Sequence, residues 1–197
     1  MTSPIDLTTV ATVKALLGVT VTDSDTLFQT LITACSQAIC NYCGRATFLE
    51  ATYNEIYDGT GRDWMLLRQW PVQAITSITY GATVITNAAT GLPLNSGYLL
   101  EAPLPSGGEQ RLILYGYCFP RGRGNVTVNY TAGYPTVPTD AAQAAAEMVG
   151  EAFERRKRFG QNSKTLGGQE TVSFSTKDIN DTIRMMLDTY RRKTPVF

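Results

Sequence analysis

Apolar and polar positions change their rhythm several times along this chain, and each change predicts a different kind of element. In "DLTTVATVKALLG", from Asp6 to Gly18, the spacing is helical, with Asp6 or Thr8 available as cap and Gly18 as a left-handed stop. A longer helix is predicted in "DSDTLFQTLITACSQAICNYCG", where Leu27, Phe28, Leu31, Ile32, Cys35, Ile39 and Tyr42 fall on one face and Gly44 closes the segment. From Phe48 to Tyr130 the language becomes one of short strands: "ATYNEIY", "WMLLRQ", "QAITSITY", "TVI", "GYLLE", "RLILYG" and "NVTVNY", separated by Gly, Pro and small polar residues. The linker "DGTGRD" between the first two carries the Asp-Gly signal of a hairpin.

The stretch "NVTVNYTAGYPTVPTDAAQAAAEMV" then switches from a two-residue to a helical period across Gly133, Pro135 and Pro138, so it reads as a strand delivered into a helix. Ala141, Ala145, Met148, Val149, Ala152 and Phe153 take helical spacing, and Phe159 and Gly160 mark the end of that helix. A polar connection with one further strand at "TVSFS" leads to a last helix, capped by Asp178 and striped by Ile179, Ile183, Met186, Leu187 and Tyr190. The order helix, helix, β lobe, helix, helix predicts an α+β fold: a four-helix bundle, two helices N-terminal and two C-terminal, with an inserted antiparallel β lobe. The expected divisions are 1–47 and 134–193 for the bundle, 48–133 for the lobe and 194–197 for a short tail.

With 197 residues, the chain suits one sizeable core or one domain carrying an inserted lobe. Seventeen basic residues balance seventeen acidic ones, which excludes a generally polycationic nucleic-acid or membrane binder. The basic residues nevertheless gather late, in Arg155, Arg156, Lys157 and Arg158 and again in Arg191, Arg192 and Lys193. There is no histidine, which removes the commonest general base and metal ligand. "MTSPIDLTTV" has no basic segment leading into an apolar core, and no apolar run has the length of a bilayer span, so the expectation is a soluble protein made in a cytoplasm.

Cys40 and Cys43 form a C-x-x-C, yet no second pair completes a zinc site, and their place in the last turns of a helix disfavours a redox thiolate. Buried structural thiols are the reading. "DGTG" lacks the spacing and the Lys-Ser/Thr of a phosphate loop, and Asn125-Val126-Thr127 reads as an ordinary strand start. The run "ERRKR" either complements a helix dipole and keeps the surface wet or meets phosphates; "FPRGRGN" is either a solvated hairpin or a nucleic-acid contact through Arg121 and Arg123 beside Phe119.

Taken together, "DLTTVATVKALLG", "DSDTLFQTLITACSQAICNYCGR", "LLRQWPVQAITSI", "VTVNYTAGYPTVPTDAAQAAAEMV" and "GGQETVSFS" before "INDTIRMMLDTYRR" resemble, in order and spacing, the head-tail connector or adaptor proteins of long-tailed bacteriophages. The resemblance covers nearly the whole chain. It implies a non-enzymatic virion protein without cofactor or metal, assembled in the host cytoplasm and located at the head-tail junction. It further implies a closed, twelvefold homo-oligomeric ring beneath the portal protein, extending the channel for genomic DNA without sequence-specific readout and receiving a downstream neck, stopper or tail-completion protein. No membrane is involved.

On that reading Arg191, Arg192, Lys193, Pro195, Val196 and Phe197 are the portal-docking candidates. Arg155, Arg156, Lys157 and Arg158 are candidates for electrostatic contact with the channel or portal, and Ala141, Ala145, Met148 and Ala152 for the subunit interface. The alternative is a non-enzymatic binding module whose β lobe recognises a glycan or protein through Tyr98, Tyr115 and Tyr117.

Overall fold

A computed structural model of the chain describes residues 3–88, 96–102, 108–156, 163–166, 170–173 and 180–192. Two compact units emerge: a helical unit from Met1–Cys43 and Val137–Asp188, and a β unit from Gly44–Thr136 and Thr189–Phe197.

Among the described residues, four helices build the helical unit: α1 (Val10–Leu17), α2 (Asp25–Cys43), α3 (Thr139–Arg156) and α4 (Asp181–Asp188). Two are long and two are only eight residues, so α2 and α3 supply most of the buried face. Val13, Phe28, Ile32, Cys35, Ala146, Val149 and Phe153 form one apolar cluster, with the Phe28 and Phe153 rings 4.6 Å apart. Small side chains at Ala141, Ala144 and Ala145 on α3 are fully buried, as close helix approach requires. Tyr42 donates to Asp188 Oδ1 at 2.7 Å, a polar tie between α2 and α4. A two-stranded antiparallel ladder, β8 (Ser163–Leu166) with β9 (Glu170–Ser173), lies between α3 and α4 in the chain; the sequence pattern had marked only its second half.

Local chemistry corrects several predicted caps. Thr9 starts α1, its Oγ1 accepting from Thr12 N at 3.2 Å, and Gly18 stops it in the left-handed region. Asp6 instead accepts from Ser3 N, Gln29 Nε2 and Thr33 Oγ1 at 2.7, 2.7 and 2.9 Å, tying the N-terminal segment to α2. Asn180 precedes α4 and accepts from Thr182 N, while Asp178 lies outside the described residues.

Among the described residues, the β unit holds two antiparallel sheets. The first has the order β1 (Ala51–Gly59), β7 (Gly122–Ala132), β3 (Val72–Tyr80), β4 (Thr83–Ile85); the second has β2 (Trp64–Leu66), β6 (Arg111–Tyr115), β5 (Gly97–Leu100). Alternation along β7 sends Val126, Val128, Tyr130 and Ala132 into one core with Met65, Leu67, Leu112, Leu114 and Phe119. The predicted hairpin at "DGTGRD" does not form, because β1 pairs with β7 and β2 with β6. Long-range partners take its backbone groups: Gly61 N donates to Phe119 O at 2.7 Å and Phe119 N to Arg62 O at 2.9 Å. A side chain at Gly59 would stand 1.7 Å from the Pro120 carbonyl oxygen, so the Asp-Gly there serves close backbone approach instead of a tight turn.

Candidate assembly surface

The first basic group lies at the end of α3. Arg155 and Arg156 occupy its last turn, where cations complement the helix dipole. The Arg156 guanidinium sits 4.9 Å from the Phe153 ring centroid, so its stem caps the rim of the helical core while its charge stays exposed. Lys157 and Arg158 lie outside the described residues.

The second group is placed differently. After α4 the chain joins the β unit, where the Tyr190 ring packs edge-on against Phe48 at 5.5 Å and Tyr134 at 5.9 Å. Arg192 Nε donates to Glu109 Oε1 at 2.9 Å, and that carboxylate is largely covered. Part of the predicted docking charge is therefore matched within the β unit, while the Arg191 side chain is exposed. Lys193, Pro195, Val196 and Phe197 lie outside the described residues.

Of the small-residue set on α3, Ala141 and Ala145 are fully buried in intrachain packing. Met148 and Ala152 are half-buried at the edge of the helical core, which leaves part of each accessible.

Arg45 was missed by the sequence reading. It is only 5% exposed, and its guanidinium lies 4.9, 4.7 and 5.2 Å from the rings of Phe48, Trp70 and Tyr134. Its Nε and Nη1 have no hydrogen-bond partner, nor does Trp70 Nε1, so aromatic faces supply the compensation that a counter-ion would usually give. The cage joins the segment after α2 to "LLRQWPV" and to the end of β7, all within the β unit. An arginine just past a helix-stopping glycine and followed by Phe, in a chain with a later Trp-Pro, was the only available signal.

A second buried polar group joins three side chains. Tyr57 and Tyr130 both donate to Glu55 Oε2, the latter at 2.7 Å, and their own hydroxyls accept from Arg68 N at 3.0 Å and Gln69 N at 3.2 Å. Burial, reinforced by Glu55, raises both phenol pKa values. The two neutral hydroxyls thus donate to Glu55 and, as acceptors, hold the backbone after β2. Burial likewise pushes the Cys35 thiol up to about 11. Cys40 and Cys43 are buried thiols, and among the described residues no group of three or more Cys, Asp or Glu side chains is placed to hold a metal ion.

The aromatic contacts considered for ligand binding are largely internal. Phe119 is fully buried, so of the side chains considered in "FPRGRGN" Arg121 and Arg123 face solvent and Phe119 does not. Tyr98 is buried and donates to Ile75 O at 3.2 Å, which leaves Tyr117, with a half-buried Tyr115, as the accessible part of that set.

Among the described residues, no helix is long and apolar enough to cross a membrane. Comparison with solved structures finds the same fold in gene transfer agent (GTA) particles. A chain from the neck of an empty particle, computed with C6 symmetry, aligns with 17% identity and a TM-score of 0.56, covering 99% of this chain and 92% of that one. A chain from the virion of the native particle aligns with 17% identity and a TM-score of 0.59 over the same shares, 99% and 92%. A third, from the native neck computed with C12 symmetry, gives 18% identity and 0.56 over 98% and 93%. No curated protein sequence matches. The model of one family, described as head completion protein, matches residues 6–193. The chain belongs to the head completion protein family.

Proposed function

We propose that this protein is a non-enzymatic structural subunit of a phage-like head-tail junction, forming a closed ring beneath the portal. The observation that carries the reading is the family match along residues 6–193, joined to a fold found in particle necks computed with C6 and C12 symmetry. A twelvefold ring is a heterologous assembly closed by rotation. It extends the DNA channel and presents a platform for a downstream neck, stopper or tail-completion protein, with no readout of sequence.

Three groups carry the assembly. Arg191 and Arg192 with Lys193, Pro195, Val196 and Phe197 dock on the portal, the apolar residues serving as anchors. Arg155, Arg156, Lys157 and Arg158, repeated in every subunit, form a positive collar that meets phosphate or acidic portal side chains. Met148 and Ala152 contribute to the subunit interface, since Ala141 and Ala145 are already engaged within the chain.

Gold-labelled antibody on virions tests the location: label at the single tail-bearing vertex is expected, and label spread over the head or on the distal tail overturns it. Removing Thr194 to Phe197 is expected to weaken portal binding while circular dichroism stays unchanged. Full binding by the shortened chain would contradict the docking role.

A further inference from the structure

The first sheet of the β unit has one face in the core and one face outside, and the outer face has an unusual chemistry. Register fixes its rows. Ile56 lies opposite Thr127, Thr127 opposite Thr79, and Thr79 opposite Val84, so the four form one line across all four strands. The next row joins Asn54, Asn129 and Ser77, the last two linked by a 2.9 Å hydrogen bond from Asn129 Nδ2 to Ser77 Oγ. Beyond it Thr52 stands opposite Thr131.

None of the residues in these three rows is charged; the next outward position on β1 is Asp58, whose carboxylate accepts from Gly124 N at 2.6 Å. The solvated face of an antiparallel sheet ordinarily carries polar and charged side chains, whereas depletion of charge marks the centre of a protein interface. Ile56 and Val84 are 57% and 63% exposed, at opposite ends of the same row. β-Branched side chains on a pleated surface are stiff, so little rotamer freedom is lost when they are covered.

We infer that this outer face, centred on Ile56, Thr127, Thr79 and Val84, is a contact between neighbouring copies of this chain, and that it receives the helical unit of the next copy through Met185. The inference rests on the ring proposed above and deepens it. A ring closed by rotation needs two different patches on each subunit, one for each neighbour. The large apolar side chains exposed among the described residues divide accordingly: Ile56, Val84 and Tyr117 belong to the β unit, and Leu16, Val21 and Met185 to the helical unit. Met185, at 73%, is the most exposed of them, and its unbranched thioether adapts to an irregular partner surface.

The test uses full-length protein under the condition, alone or on its portal, in which wild type closes rings. Complexes are weighed by native mass spectrometry, and circular dichroism confirms that each variant folds. The double variant Ile56→Lys/Val84→Lys and the single variant Met185→Lys are each expected to lose the ring and remain single copies. Mixed in equal amounts, they are expected to give pairs that grow no further, because only the intact sheet face of one and the intact helical patch of the other can meet. Rings from either folded variant, or a mixture that yields no pairs, would overturn the inference while leaving the ring itself standing. Wild type that never closes a ring in either condition would overturn the ring reading and this contact with it.

Discussion

The helical unit and the β unit are held together by different kinds of information. Packing in the helical unit follows a repeat visible within each helix: Phe28, Ile32 and Cys35 lie at helical spacing on α2, and Ala146, Val149 and Phe153 do so on α3. In the β unit the decisive partners are far apart in sequence, as when Tyr53 faces Tyr130 across β1 and β7. Polar groups differ as well. The helical unit uses local caps, the Asp6 carboxylate tied to α2 and an inter-helix phenol, whereas the β unit holds a half-buried carboxylate with two phenols and a buried arginine among three rings. A neighbour-to-neighbour repeat specifies a helix face, but a sheet core is specified only when its distant strands meet.

Breaking each core gives the largest expected effects. Phe28→Ala, which removes a fully buried ring, should cost about 3–5 kcal/mol, and Leu112→Ala about 2–5 kcal/mol, both read from urea unfolding. A loss below 1 kcal/mol at either site would show that the corresponding core is not packed as described. A smaller effect tests backbone fit: Gly133 has φ +122°, and an added Cβ would lie 2.4 Å from Leu49 O. Gly133→Ala is therefore expected to lose roughly 1–3 kcal/mol, against near neutrality for alanine at an unstrained loop glycine.

The buried network is sharpened by Tyr57→Phe, which leaves the Arg68 N–H without its acceptor and should cost about 1–3 kcal/mol. Its counterpart in the helical unit, Thr9→Ala, removes a cap and should cost about 1 kcal/mol. Should Thr9→Ala prove the more damaging, the contrast between local and long-range polar ties would fail.

Alkaline titration gives the gentlest probe. Cys35 has its folded pKa raised to about 11, so the unfolded chain releases this proton first, and stability is full below pH 9 and declines as pH climbs toward 11. Tyr57 and Tyr130, raised in the same direction, steepen the decline above their ordinary pKa of 10.0. Cys35→Ala should flatten the first part of the curve; an unchanged profile would mean that the thiol is not selectively protected from ionisation.

Sequence made the α+β class and much of the element order legible because periodicity within a segment reports which face is covered. Every predicted strand between Ala51 and Tyr130 overlaps an observed one. Pairing was not legible: "DGTGRD" carries a strong local turn signal, but β7 offers β1 a ladder along nearly its whole length and β2 pairs with β6 instead. The assembly surface was only partly readable for a related reason. Counting charges found Arg155, Arg156, Arg191 and Arg192, but not that Arg192 pairs with Glu109 or that the stronger cation-π site is Arg45. Nor does alternation reveal that Ile56 and Val84, in strands with β2 and β3 between them in the chain, end up in one row.

The most direct test of the head-tail junction reading is electron microscopy of the purified protein, alone and mixed with its portal, with rotational symmetry counted in end-on views. A closed ring, twelvefold and coaxial with the portal, is the expected result. Particles that remain single copies in both samples would contradict it.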